Sequence, residues 1–249
     1  MKAIILCDKR TGSTFLQNCL DSHPDLTVYD EMFMIRGGIK KRHGQFLFRH
    51  MKNTKGFSPE KYLDWLSNEG ENVIFRLIYD HCNKFELDSI IRKRKIPIVH
   101  LFRKNHFEKT MSKLTKGLFE PKKVIIPVDK LLQGIKKSEG KASDWTKRWE
   151  GYKPQMYIEY KEMIGEVSGD KTKDFQKVGA FNMRSAQTTY LSDDINKKIC
   201  KFLSIPDFRM SSNITKKNSN NIFDYVKNDG KVRKLLKNKG LEKYLGGKL

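Results

Sequence analysis

Cysteine is scarce. Among 249 residues only Cys7, Cys19, Cys82 and Cys200 occur, with no C-x-x-C pair and no metal-like spacing to the six histidines. That excludes a cysteine-built metal module, and Cys7 and Cys19 fall in apolar patterns that read as buried thiols. The expected setting is therefore reducing and cytoplasmic. No apolar run approaches membrane-spanning length, and because Met1-Lys2-Ala3 runs straight into an apolar strand, no signal peptide is expected. No internal repeat is present, and no long block of Lys and Arg of the kind that makes a nucleic-acid tail. Acids are few: 29 Asp and Glu stand against 50 Lys and Arg, a net charge of +21. A charge of that size favours a polyanionic ligand, an acidic membrane or nucleic acid. The cations are spread along the whole chain, so most of the excess reads as solvated surface.

What is present is an alternation of short apolar runs with amphipathic helical patterns. Ala3–Cys7, Thr27–Tyr29, Val73–Tyr79, Pro97–Phe102 and Gln155–Glu159 read as strands. Between them, Ser58-Pro59-Glu60 is a helix start, with a capping hydroxyl, proline at the first helical position and an acid near the positive end. Asn105 with Glu108 is a second start, of the capping-box type. Glu86–Lys95 reads as a basic amphipathic helix, and Val128–Trp149 as a helix broken at Gly134 and Gly140. Tyr160–Ile164 starts another, and Ser192-Asp193-Asp194 caps one that reaches Leu203. Ile35–Phe57 and Gly165–Thr188 read as long loops, and Ser211–Asn221 as a polar linker before two short helices. Strands alternating with helices predict an α/β fold with a central, mainly parallel sheet flanked by helices in three layers. One domain over 1–249 is expected, with a C-terminal helical extension over about 211–249. Ligands of such sheets bind beyond the carboxyl ends of strands, so the loops after the first and the Pro97–Phe102 strands carry the chemistry. Both are basic.

The first of these loops is Cys7-Asp8-Lys9-Arg10-Thr11-Gly12-Ser13-Thr14. Strand, tight loop and helix in that order gather backbone N–H groups and the positive end of a helix dipole around one point, an anion site. It is not a Walker A loop. Cys7 stands where the first glycine belongs, and no lysine follows Gly12. Its cations precede the glycine instead.

That arrangement resembles the 5′-phosphosulfate loop of sulfotransferases that use 3′-phosphoadenosine 5′-phosphosulfate (PAPS), read as [KR]-[ST]-G-[ST]-T. Ile98–Ser112 is similar to the 3′-phosphate strand-loop-helix of the same family, closest to its bacterial carbohydrate-type branch. Met156–Met163 resembles its V-x-Y-E-D-L junction. Ile199-Cys200-Lys201-Phe202-Leu203-Ser204-Ile205-Pro206 resembles I-C-x-F-L-G-I-P, and Thr215–Asn218 with Ile222–Leu245 resembles the branch's tail. Five motifs occur in the family's order. Two positions depart from it: Lys9 replaces a usual proline and Lys161 an acid.

The resemblance implies a P-loop-like fold and transfer of a sulfuryl group from PAPS, without a metal, to a hydroxyl of a carbohydrate or glycolipid. It assigns Lys9, Arg10, Thr11, Gly12, Ser13 and Thr14 to the 5′-phosphosulfate and Arg103 (or Lys104) with Ser112 to the 3′-phosphate. Lys216 and Lys217 would close over the nucleotide. Arg10 is implied as the catalytic cation. Glu31, in Asp30-Glu31-Met32-Phe33, corresponds to the family's G-E-x-F acid and is implied as the catalytic base, with Asp30 as its nearest rival. Arg76, a cation inside an apolar strand, would either pair with Glu31 or hold the acceptor, and Asp30 is grouped with it as substrate-binding. His23, His81, His100 and His106 read as structural or capping. The rival readings are a small-molecule kinase, a basic nucleic-acid-binding protein, and a family member that has lost activity.

Overall fold

The computed structural model describes residues 1–34, 56–115, 124–168, 176–178, 182–214, 223 and 226–245. Lys216, Lys217 and most of the expected loop from Ile35 lie outside the described residues. The chain divides into two compact units. The first comprises 1–102, 151–174 and 185–215, and the second 103–150, 175–184 and 216–249.

In the first unit, β1 (Ala3–Cys7), β2 (Thr27–Glu31), β3 (Val73–Ile78), β4 (Ile98–Phe102) and β5 (Gln155–Glu159) form one sheet in the order β2-β3-β1-β4-β5. Every pairing in it is parallel. β1 is central, and all five of its residues are buried. A continuous apolar run, rather than alternation, is what a parallel strand covered on both faces requires. Toward one face Ala3, Ile5 and Cys7 pack with Phe15, Leu16, Cys19 and Leu20 of α1 (Ser13–Asp21) and with Ile195, Ile199 and Leu203 of α7 (Asp193–Leu203). On the other side, Phe75 of β3 meets Phe33, whose ring also contacts Phe85 and Tyr62 of α2 (Pro59–Asn68). Fully burying one such apolar side chain contributes about 1.5–3 kcal/mol, so β1 anchors the unit. Short helices α3 (Tyr79–Lys84) and α4 (Leu87–Lys93) carry the chain from β3 to β4. The four cysteines are buried and none is in a disulfide.

Three readings of this unit need correction. The stretch from Gly165 to Thr188 is not simply a loop. β6 (Ile164–Ser168) follows one 3-10 turn (Tyr160–Met163), and β8 (Asn182–Leu191) pairs antiparallel with it. β6 is almost wholly exposed, so its ladder of hydrogen bonds leaves no hydrophobic alternation to read. The start of the polar linker is likewise a strand, β9 (Ser211–Ile214), paired with β8. Ser192 does precede α7, but its Oγ donates to the Glu162 carbonyl (2.5 Å) and makes no cap.

The second unit holds α5 (His106–Leu114), α6 (Val128–Arg148), the hairpin of β7 (Gln176–Val178) with the start of β8, α8 (Asp229–Asn238), and a 3-10 turn at Glu242–Tyr244. That turn stands where a second terminal helix was expected. Its core gathers Phe107, Met111, Leu131, Ile135, Phe223, Val232 and Leu236. α6 is continuous, contrary to the expected break. A Cβ at Gly134 would stand 2.4 Å from Cγ2 of Thr110, so this glycine permits the close approach of α5. Asn105 caps α5 as expected, accepting from the Glu108 N–H at 2.9 Å. Asn228 receives Ile126 as a strand would, accepting from its N–H (2.9 Å) and donating to its carbonyl (3.0 Å).

Candidate functional site

The carboxyl ends of β1, β3 and β4 are level, with Cys7 opposite both Ile78 and Leu101. From β1 the chain leaves toward β2, and from β4 toward β5, on opposite sides of the sheet order. Divergence of neighbouring connections opens a crevice at strand ends, the usual ligand position in such sheets.

The residues after β1 make a turn of two left-handed steps, Arg10 at φ 67° and Gly12 at φ 85°. The Thr11 hydroxyl donates to the Asp8 carbonyl at 2.8 Å and closes the turn from inside. Gly12 then caps α1, its carbonyl accepting from Phe15 (2.9 Å) and Leu16 (3.2 Å). No acid occupies the first turn of α1, so nothing there offsets the positive end of the helix dipole. Tyr160, just beyond β5, leans over Gly12; a Cβ on Gly12 would lie 2.2 Å from its ring. Glycine is thus required twice, by its dihedral and by its neighbour. Lys9 and Arg10 are exposed. Lys9 Nζ pairs with Asp80 at 2.9 Å, across two half-exposed side chains.

Arg76 ties this loop to the acids of β2. Its Nη1 donates to the Thr14 hydroxyl (2.9 Å) and the Ser13 hydroxyl (3.1 Å). Its Nη2 pairs with Asp30 and, at 3.1 Å, with Glu31. The Arg76 side chain is only 8% exposed, against 17% for Glu31 and 38% for Asp30. Consecutive residues of a regular strand point to opposite faces. Here β2 breaks register between Tyr29 and Glu31, and such a bulge sets two residues against one. Both carboxylates thereby reach one guanidinium. Tyr62 Oη donates to the Met32 carbonyl at 3.0 Å and fixes the chain just beyond them.

The predicted site residues therefore distribute as follows. Lys9, Arg10, Thr11, Gly12, Ser13 and Thr14 form one turn, and Arg76, Asp30 and Glu31 join it through Ser13 and Thr14. Arg103 and Ser112 belong to the second unit, where Arg103 is buried and paired with Glu108 and Ser112 lies on half-buried α5 surface. Lys216 and Lys217 lie outside the described residues. Asp80 and Tyr160 escaped the sequence reading. Each follows the end of a parallel strand, and that position is the signal that would have found them.

Burial and charge also act on several titratable groups of the two units. Burial pushes the Cys7 thiol up to about 11, against the pull of the Arg76 charge. Burial, helped by the Lys9 charge, lowers His81 to about 4. His100, in the middle of β4, is lowered to about 4 by burial alone; its ring contacts Tyr79 Oη at 2.5 Å and the Gln155 amide at 2.9 Å. A buried neutral imidazole with two partners is a structural group. His106 contacts Ser138 at 2.9 Å, and burial lowers it too. Among the described residues, no group of three His, Cys, Asp or Glu side chains is arranged to hold a metal ion, and no helix is long and apolar enough to cross a membrane.

The fold defines a parallel α/β protein with a glycine turn and helix start at the end of its central strand. No protein-family model matches this chain, and no curated protein matches it significantly.

Proposed function

We propose that the chain is a PAPS-dependent sulfotransferase with a P-loop-like fold that transfers the sulfuryl group to a hydroxyl of a carbohydrate or glycolipid. One observation carries the reading: the Lys9–Thr14 turn caps α1 at the carboxyl end of the central strand, cations before the glycine and no acid in the first helical turn. Such a turn suits a phosphosulfate, because N–H groups and the helix dipole meet the anion while hydroxyls donate to its oxygens.

In this reading, an acceptor hydroxyl attacks sulfur in line, the S–O bond to the 5′-phosphate breaks, and adenosine 3′,5′-bisphosphate leaves. Little covalent work falls to the protein, so catalysis is positioning and charge stabilisation. Arg10 stabilises the charge growing on the bridging oxygen. Glu31 takes the acceptor's proton, with Asp30 beside it. Arg76 is a positioning residue that holds both acids against the loop, in place of holding the acceptor. Arg103 and Ser112 are the residues that the resemblance assigns to the 3′-phosphate.

Thermal-shift titration with adenosine 3′,5′-bisphosphate against Mg-ATP tests the cofactor class. Stabilisation by the bisphosphate and not by ATP is expected; the reverse would make the chain a kinase-like protein. With the donor and a panel of oligosaccharides, Arg10→Ala should abolish transfer and weaken bisphosphate binding by about 1.5–3 kcal/mol. Glu31→Gln should keep nucleotide binding and lose rate. Near-normal turnover by Arg10→Ala would remove the assignment.

A further inference from the structure

The second unit carries a basic depression that the proposed reaction does not use. Helix α8 buries Val232 and Leu236. Arg233, Lys234 and Lys237 line an open cavity of about 440 Å³ together with Gly230, Asn238 and Leu245. Residues three and four apart are surface neighbours on a helix, so Lys237 lies next to both of the other two cations.

The charges there are poorly compensated. α8 contains four cations against one acid, Asp229, and that acid is engaged by Arg233 at 3.6 Å. Among the described residues Lys234 and Lys237 make no ion pair. Like charges at these spacings oppose helix formation, and none of the described residues lining the cavity is acidic. Arg233 is held in place, its guanidinium 3.9 Å from the centroid of Phe223. That ring is buried and stacked on Phe107. A guanidinium laid on an aromatic face, with only its Nε turned to Asp229, keeps its Nη groups for an anion.

A cavity of this size falls in the range of small-molecule sites, above ~300 Å³, and is too large for one inorganic ion. The cations are confined to little more than one helical turn, which suits a compact ligand rather than an extended chain whose charges follow a stripe. We propose that this depression is a second anion site, taking a small polyanion: a sugar or cyclitol ring carrying several phosphate or sulfate groups.

Calorimetric titration of the full chain at physiological salt tests this, with inositol hexakisphosphate as the phosphate probe, sucrose octasulfate as the sulfate probe and a single-stranded oligonucleotide alongside. One-to-one binding of at least one small probe is expected, and the better one identifies the charged group. Lys234→Gln with Lys237→Gln should weaken it at least about tenfold, a loss of ~1.4 kcal/mol. Lys197→Gln with Lys201→Gln on α7 removes the same charge elsewhere and should leave affinity unchanged. In the unmodified chain, the bound probe should protect Lys234 and Lys237 from amine acylation, a readout that needs no variant. Absence of binding, equal weakening in both variants, or tighter binding of the oligonucleotide than of either small probe would overturn the proposal.

Discussion

Replacing Arg76 by methionine keeps most of the side-chain volume and removes one charge from a nearly dry position. Four contacts go with it, to Ser13, Thr14, Asp30 and Glu31. The two hydroxyls can turn to other partners, but the carboxylates are left facing each other without a cation. Removing one member of a buried ion pair costs about 3–5 kcal/mol. Asp30 is more than a third exposed, so water takes over part of its solvation, and the low end, about 3 kcal/mol, is expected. With a urea slope of about 1–3 kcal/mol per molar, the unfolding midpoint should fall by ~1–3 M. The cause is separable from lost packing. Adding Asp30→Asn and Glu31→Gln to the methionine variant removes the stranded charges and should restore at least about half of the loss. A methionine variant within about 1 kcal/mol of the parent, or a triple variant no more stable than the single one, would refute the hub role given to Arg76.

Gly12→Ala should lose about 1–2 kcal/mol to the left-handed backbone alone and more from displacing the Tyr160 ring, read by urea unfolding; Tyr160→Ala in the same chain should relieve the second part only. Gly134→Ala should destabilise the chain although alanine is the better helix former by about 1 kcal/mol, because overpacking costs ~1–3 kcal/mol. Thr110→Ser, which deletes the clashing methyl, should restore it, and a stabilising Gly134→Ala would show that α5 and α6 can move apart. His100, lowered to about 4 in the fold, binds its proton more readily when unfolded. Stability should therefore be intact above about pH 6.5 and fall toward pH 4, by up to ~1.4 kcal/mol per pH unit from this group. His100→Gln should flatten that slope in urea unfolding at a series of pH values, and the ring's NMR titration should follow the same window; an unchanged slope would place the pH dependence elsewhere.

Local chemistry made much of the architecture legible. The apolar runs at Ala3–Cys7, Val73–Tyr79 and Pro97–Phe102 read as strands because parallel strands covered on both faces need no polar alternation. Ser58 with Pro59, and Asn105 with Glu108, announced their helices because capping depends on neighbours within one turn. The Lys9–Thr14 turn was visible for the same reason: strand, glycine and helix start are adjacent in the chain.

Tertiary structure alone decided what those elements face. Gly134 reads as a helix breaker until α5 lies against it. Strand β6 gave no period because its pairing with β8, not burial, holds it. Arg76 stands 45 residues from Glu31 and 63 from Ser13, and no local rule joins them. The bulge in β2 that turns Asp30 and Glu31 to one guanidinium is a property of pairing between strands. So the sequence by itself determined where the basic glycine turn lies, and the packing of β2 and β3 around α1 decided which acids stand beside it. Side-chain direction on a strand follows register, and register is settled only when the strands meet.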